Sequence, residues 1–258
     1  MAFLRNTAAG PAPATPKPPV RPSVEGHSVD AYYQAARTGG DFFEFAITPS
    51  GRLLVVLLDV AGERDEAFVV ESAVQARMRD LGPELFSDPE GNDAISLSSL
   101  TMELNRTIIE AAGGVRCAPG FLACYEPSLG ALWYVNAGHT PGLVRDPVHV
   151  ATLGASGVPM GLFSHAVHDA QLSVLQPASA MLLVSRGTVE AAGRLEAGLE
   201  RAREVLQSSA LHSAGDLCKA ALAGTLGKPS RTDSAIHALK RLAGPQENDR
   251  TAVAVIRR

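Results

Sequence analysis

Two acidic residues lie where the chemistry of this sequence is easiest to recognise. Asp59 ends the apolar run 53–58, and Asp41 follows the pair Gly39-Gly40. Six consecutive aliphatic residues predict a strand buried on both faces, where a terminal carboxylate is unusual unless a cation, a donor or a reaction requires it. Two carboxylates from neighbouring strands suggest a divalent-metal site. Each acid alone is better interpreted as a cap of a turn or helix, because Asp is common at such positions.

The bulk composition argues against several classes of protein. The chain has 258 residues, of which 46% are hydrophobic and 19% charged, as in ordinary globular domains. A net charge of −4 without a cluster of basic residues argues against a nucleic-acid partner. No apolar segment approaches the roughly 20 residues that span a bilayer, and the first residues lack the apolar core of a signal peptide. We therefore expect a cytoplasmic protein with no membrane partner.

The cysteines point to a reducing compartment. Cys117, Cys124 and Cys218 are odd in number and form no C-x-x-C pair. This pattern argues against both a zinc site and a disulfide framework.

The acids depend on the elements that must hold them. Residues 1–22 are rich in Ala and Pro and predict a disordered leader, whereas residues 23–258 predict one domain. The predicted strands are 27–33, 42–47, 52–59, 120–126, 131–136, 142–145, 149–153, 170–175, 180–185 and 251–256. The predicted helices are 63–81, 95–112 (or from 97), 195–208, 214–226 and a short one at 235–242. This order predicts an α+β fold with mostly antiparallel sheet covered by helices.

Five short segments form an ordered set across nearly the whole predicted domain. They are 35–44 (AARTGGDFFE), 58–62 (LDVAG), 133–141 (WYVNAGHTP), 157–162 (GVPMGL) and 248–251 (NDRT). In this order they resemble A-R-x-x-G-G-D-F-Y-D, G-D-V-S-G, Y-V-N-A-G-H-N-P, G-x-P-L-G-L and D-D-R-T of the metal-dependent Ser/Thr protein phosphatases (PPM), in the bacterial branch named after SpoIIE. The resemblance implies two antiparallel β-sheets packed as a sandwich flanked by helices. It also implies hydrolysis of phosphoproteins with Mn²⁺ or Mg²⁺.

The resemblance assigns roles to particular residues of this chain. Asp59 would bridge two metal ions, Asp41 would help to hold one of them, and the backbone carbonyl of Val60 would complete that site. The other ion would need the Asp of a T/S-D-G-V-T-E-A turn and the first Asp of D-D-R-T. Arg186 and Asn248 stand at these two positions. The sequence therefore predicts one bound ion or none rather than two.

The substitution by arginine suggests a change of function. Arg186 is permanently cationic, and its planar fork suits carboxylates, so it could reach Asp41 or Asp59 in place of the missing ion. An arginine does not activate a water as a metal does. We interpret the chain as a phosphatase-like domain (a pseudophosphatase) that recognises a phosphorylated regulatory protein, such as an anti-sigma-factor antagonist, with hydrolysis impaired or lost.

Two alternatives remain open. In the first, the enzyme is active with a reduced metal site, or Asp249, Glu247 or Glu190 replaces a lost ligand. In the second, the chain is a non-enzymatic interaction module unrelated to phosphatases.

Two further polar residues have competing interpretations. His139 could donate to a phosphate or polarise a nearby acid, although such a residue more often hydrogen-bonds its own turn. Glu44 could contact a metal-bound water, or it could be a solvated strand residue.

Overall fold

The computed structural model describes residues 16–36, 40–112, 117–225 and 248–258. Glu247 and the predicted helix at 235–242 lie outside the described residues. The strands are β1 (His27–Gln34), β2 (Asp41–Ile47), β3 (Leu53–Asp59), β4 (Gly120–Glu126), β5 (Ala131–Ala137), β6 (Gly142–Arg145), β7 (Val150–Leu153), β8 (Gln171–Val174), β9 (Ser179–Val184) and β10 (Arg250–Arg257). The helices are α1 (Arg64–Leu85), α2 (Asp93–Ala111), α3 (Arg186–Glu190), α4 (Leu195–Ser208) and α5 (Ala214–Gly224).

The strands form two five-stranded antiparallel sheets. Their orders are β1-β10-β9-β6-β7 and β2-β3-β4-β5-β8. One apolar cluster fills the space between the sheets. A second joins the outer face of the β2–β5 sheet to α1 and α2, and a third joins the other outer face to α3, α4 and α5. The predicted α+β sandwich flanked by helices is confirmed.

Alternation along β3 sets the direction of its terminal acid. Leu54, Val56 and Leu58 pack toward α1 and α2, whereas Leu53, Val55 and Leu57 pack between the sheets. Successive side chains of a strand point to opposite faces. Asp59 is therefore on the face between the sheets, at the end of the sandwich.

Two elements differ from the sequence-based expectation. Helix α1 continues through Gly82 and Pro83, beyond the predicted end at residue 81, and ends beside the buried Phe86. A Cβ on Gly82 would come 3.1 Å from Leu54 Cδ1, so glycine lets this turn lie close to the sheet. Helix α3 was not expected, because five residues are too few to display a helical period.

Within the described ranges, none of the helices combines the length and apolarity that crossing a bilayer requires.

Candidate functional site

Asp41 and Asp59 face each other across the β2–β3 ladder. They are direct partners in the antiparallel register, so their side chains lie on the same face. Gly40 makes the local geometry possible: its backbone carbonyl accepts from Val60 N at 2.8 Å, and a Cβ at this position would come 2.1 Å from the Val60 carbonyl oxygen. No other residue allows so close an approach of the two chains.

A cleft of about 320 Å³ opens beside this acid pair. Seven of the residues singled out from the sequence line it: Asp41, Asp59, Val60, Arg186, Glu190, Asn248 and Asp249. Strand β2, the end of β3, helix α3 and the start of β10 therefore meet at one site, although the residues lie far apart in the sequence. His139 and Glu44 lie elsewhere.

Asp41 is a buried carboxyl held by hydroxyl groups. Thr251 Oγ1 donates to Asp41 Oδ2 at 2.7 Å, and the side chain of Ser185 also hydrogen-bonds to this carboxyl. Burial raises the pKa of Asp41 well above its usual value, and the charges of Asp59 and Asp249 raise it further, while the hydroxyls lower it. Burial dominates, because removing a carboxylate from water penalises its charged form.

Asp59 has a raised pKa for similar reasons. Burial is the largest cause, the charge of Arg186 acts against it, and the charges of Glu190 and Asp249 add to it. Each acid of the pair is thus less easily ionised than a carboxyl in water.

The cleft offers oxygen donors of the kind that a hard cation binds. Asp41, Asp59 and the Val60 carbonyl offer oxygen ligands, which Mn²⁺ and Mg²⁺ prefer. Across the described residues, His, Cys, Asp and Glu side chains nowhere form a group of three or more that could hold a metal ion. Arg186, a cation, and Asn248, a neutral amide, also line the cleft.

Arg186 forms an ion pair within α3. Its Nε donates to Glu190 Oε1 at 2.7 Å, and both side chains are accessible at the mouth of the cleft, with 64% and 36% of their surfaces exposed. This pair is the main reason that the pKa of Arg186 is raised, and the Asp59 charge adds to it. The direct partner of the guanidinium is therefore Glu190, whereas Asp59 acts on it through space.

Asp249 is buried and fully engaged. Its Oδ2 accepts from Tyr33 Oη at 2.7 Å, and its Oδ1 accepts from Ala36 N at 2.6 Å and from Arg64 Nη2 at 3.0 Å. Burial, followed by the hydrogen bond to Asp249, raises the pKa of Tyr33 to about 12. A role for Asp249 as a replacement ligand would require some of these bonds to break.

His139 supports the wall that carries Arg186. Its Nδ1 lies 3.1 Å from both the carbonyl oxygen and the hydroxyl of Thr140, and that hydroxyl donates to the Val184 carbonyl at the end of β9. Burial lowers the pKa of His139 to about 4, so the ring is neutral near pH 7. These contacts are those of a turn-stabilising histidine.

Glu44 lies on the opposite face of β2 from Asp41. It is completely buried and accepts from Gln75 Nε2 at 2.6 Å and from Arg79 Nη2 at 2.9 Å. Its contacts with α1 place it away from the cleft.

Four supporting residues escaped sequence analysis. Ser185 and Thr251 hold Asp41, and Tyr33 and Arg64 hold Asp249. The signal for the first two was a hydroxyl residue at the end of an apolar strand, facing the same way as the acids. Arg64 gives no such signal, because its partner Asp249 is distant in the sequence.

The comparison with protein families gives one match. Residues 49–258 match the family described as Stage II sporulation protein E (SpoIIE). No curated protein sequence matches this chain.

Solved structures share the fold over most of the chain. The RsbU and RsbW domains of a Mycobacterium tuberculosis protein match at 22% identity with a TM-score of 0.68, over 90% of this chain and 62% of that chain. The PP2C phosphatase domain and a fragment of the regulatory domain of SpoIIE from Bacillus subtilis match at 14% identity and a TM-score of 0.63, over 89% and 63%. The catalytic domain of the serine/threonine phosphatase PstP, solved with two manganese ions, matches at 14% and 0.60, over 89% and 98%. This chain therefore spans less than two thirds of the first two.

Proposed function

This chain belongs to the SpoIIE family and is a phosphatase domain of the PP2C (PPM) type; from that premise we propose that its cleft binds a phosphorylated regulatory protein while two-metal hydrolysis is impaired or lost. The observation that carries the proposal is the position of the Arg186–Glu190 ion pair, at the mouth of the cleft that holds Asp41 and Asp59.

The charges of the cleft support binding more strongly than hydrolysis. Two-metal hydrolysis uses ions that lower the pKa of a bound water and neutralise the phosphate oxygens. A guanidinium neutralises charge but does not activate water. Arg186 presents several N–H donors in a plane that suits a phosphate, and it is mostly exposed. A phosphate that reached it would replace the carboxylate of Glu190.

We propose a regulatory phosphoprotein in the cytoplasm as the partner, such as an antagonist of an anti-sigma factor. The support for this class is the relative in which RsbU and RsbW domains occur in one protein.

A manganese titration tests the loss of the two-ion site. Calorimetry on the full chain should record no more than one ion per molecule, and Asp59→Asn should remove that binding. Tight binding of two ions would refute the proposal.

A phosphoserine peptide tests recognition directly. Fluorescence anisotropy should show binding of the phosphorylated peptide and not of its serine form, and Arg186→Gln should weaken it about tenfold or more, as expected for a charge-assisted contact. Arg194→Gln, an exposed arginine outside the cleft, is the matched control. Equal affinity of the wild type for both peptides would contradict the proposal.

The donor set favours a second candidate function, an active phosphatase with one ion. Asp41, Asp59 and the Val60 carbonyl would hold that ion, and the close approach of Gly40 to Val60 keeps the carbonyl beside the acids. This candidate predicts manganese-dependent release of phosphate from the peptide, abolished by Asp59→Asn. No release at high manganese would exclude it.

A further inference from the structure

Residues 16–22 (Pro-Lys-Pro-Pro-Val-Arg-Pro) contact the domain without forming a helix or strand. Their burial has a period of three: Pro16, Pro19 and Pro22 are half-buried. The residues between them, Lys17, Pro18, Val20 and Arg21, are exposed. Three residues per turn is the repeat of the polyproline II helix, which proline-rich segments favour. The three prolines thus form one face directed at the domain.

The carboxamide of Gln75 binds the backbone of this segment. Lys17 N donates to Gln75 Oε1 at 2.8 Å, and Gln75 Nε2 donates to the Lys17 carbonyl at 2.8 Å. Proline has no N–H, so Lys17 supplies the backbone donor among residues 16–19. Because the contact uses only backbone atoms of the segment, it requires a non-proline residue between prolines but does not depend on the side chain of that residue.

Gln75 is held in place for this contact. Its Nε2 also donates to Glu44 Oε2 at 2.6 Å, and Glu44 in turn accepts from Arg79 on the next turn of α1. Gln75 and Glu44 are buried, with 5% and 0% of their surfaces exposed. A buried carboxylate therefore fixes which end of the carboxamide donates to the segment, and the receptor group is ordered by the domain itself.

A second contact lies further along the segment. Arg21 forms an ion pair with Asp30 of β1 at 2.8 Å. The arginine is 70% exposed and the aspartate 17%, so the pair adds orientation more than affinity. Gln75 of α1 therefore binds the segment near its first residue, and Asp30 of β1 binds it near its last.

We propose that these elements form a receptor for polyproline II segments, with residues 16–22 as its ligand within the chain. We call it the proline site; its residues are Asp30, Glu44, Gln75 and Arg79. The ligand class is P-x-x-P-x-x-P with a non-proline residue after the first proline and a basic residue before the last. Recognition by a proline face, a backbone hydrogen bond and one charge is a general mode for such segments.

Amide exchange at Lys17 tests occupancy in the intact chain. The sequence has four lysines, so ¹⁵N-lysine labelling gives a simple spectrum. We expect the Lys17 amide to exchange slowly in the wild type and about tenfold faster in Gln75→Leu, which removes the acceptor of the Lys17 N–H. Arg77→Ala, on the same helix but paired with Glu103, should leave this exchange unchanged. Exchange in the wild type at the rate of an unstructured peptide would overturn the proposal.

A peptide added in solution tests the receptor directly. The triple variant Pro16→Ser, Pro19→Ser, Pro22→Ser of the full chain should leave the site vacant. A dye-labelled, end-blocked peptide of residues 16–22 should then bind this variant, bind the wild type at least tenfold more weakly because of the in-chain competitor, and fail to bind after addition of Gln75→Leu. Equal binding to wild type and triple variant, or none to either, would overturn the proposal. Loss of Lys17 protection on dilution would assign the ligand to a second copy and overturn in-chain occupancy.

Discussion

The two walls of the cleft carry different chemistry on the same architecture. The β2–β3 wall holds Asp41 and Asp59 in direct register, with the Val60 carbonyl beside them. The facing wall, formed by the ends of β9 and β10, presents Arg186 and Asn248. One wall thus retains oxygen donors for a cation, and the other provides a cation of its own.

The wall at the ends of β9 and β10 also supports the β2–β3 wall. Thr251 and Ser185 hydrogen-bond to Asp41. Asp249 is held by Tyr33 of β1 and Arg64 of α1. Asp41, Asp59, Arg186 and Asn248 lie at or beside strand ends and belong to none of the three apolar clusters, so a change at these positions leaves the packing of the sheets intact. The hydrogen bonds that support Asp41 therefore come from residues other than Arg186 and Asn248.

The largest expected effect comes from giving the second wall carboxylates like those of the first. The double variant Arg186→Asp, Asn248→Asp supplies two carboxylates to the second wall. We expect binding of a second manganese ion and a rise in peptide dephosphorylation of roughly a hundredfold, because a second ion contributes several kcal/mol to charge stabilisation. Calorimetry and phosphate release measure the two effects.

Arg194→Asp is the control for charge reversal outside the cleft. A double variant that binds no second ion would show that the second wall differs from its relatives in more than two residues.

The support that His139 gives to the wall at the ends of β9 and β10 should appear in the pH dependence of stability. The folded-state pKa of about 4 lies below the ordinary 6.5, so the unfolded chain takes up a proton first as the pH falls. Stability is lost from about pH 6.5 down to pH 4, by about 3 kcal/mol at most. Urea unfolding should show that the wild type exceeds His139→Asn in stability by less at pH 4.5 than at pH 7.

The exposed His165 supplies the control, because His165→Asn changes a ring outside the core. An advantage over His139→Asn that stays constant with pH would contradict a neutral buried His139.

The hydrogen bonds that hold Asp249 should contribute less to the free energy of unfolding than the effect described for His139. Tyr33→Phe removes a hydrogen bond of 2.7 Å to a buried carboxylate, at a cost of about 2 kcal/mol in the free energy of unfolding. Tyr32→Phe, on the other face of the same strand, should cost much less. Equal effects of the two variants in urea unfolding would show that Asp249 does not depend on Tyr33.

The smallest expected effect is a gain in stability and not a loss. The pKa values of Asp41 and Asp59 are both raised, so their ionised forms destabilise the fold, and stability falls as the pH rises from the unfolded pKa near 4 through the raised values. Asp59→Asn should therefore stabilise the metal-free chain by roughly 1 kcal/mol at pH 7.5. The gain should vanish below about pH 3.5, where both carboxyls are protonated in either state.

Manganese at 1 mM should reduce this gain, because an ion that binds the folded wild type stabilises it by mass action. A metal-free wild type as stable as Asp59→Asn at pH 7.5 would contradict a cost of burying the ionised form of Asp59.

Strands and long helices were predictable from the sequence, because each carries its own periodic pattern. The alternation in β10 and the apolar run of β3 identify buried strands without any tertiary information. The extension of α1 through Pro83 and the short helix α3 were not predictable. The first depends on the burial of Phe86 in the core, and the second on the turn that leads out of β9.

The site was predictable as a set of residues and not as a set of contacts. Ordered motifs brought Asp41, Asp59, Arg186 and Asn248 to attention, and the structure places all four at one cleft. Arg186 pairs with Glu190 because the two residues lie one turn apart in α3, a helix that was not predicted from the sequence. The role of each residue in binding stays a prediction.

The position of β10 in its sheet bears on how the domain is synthesised. This strand pairs with β1 on one side and β9 on the other, although both precede it in the chain. While a ribosome is still adding residues 250–257, β1 lacks this ladder and Asp41 lacks the hydroxyl of Thr251. The cleft therefore assembles after translation of β10, and a prematurely terminated chain would expose the open edge of β9 to chaperones and proteases.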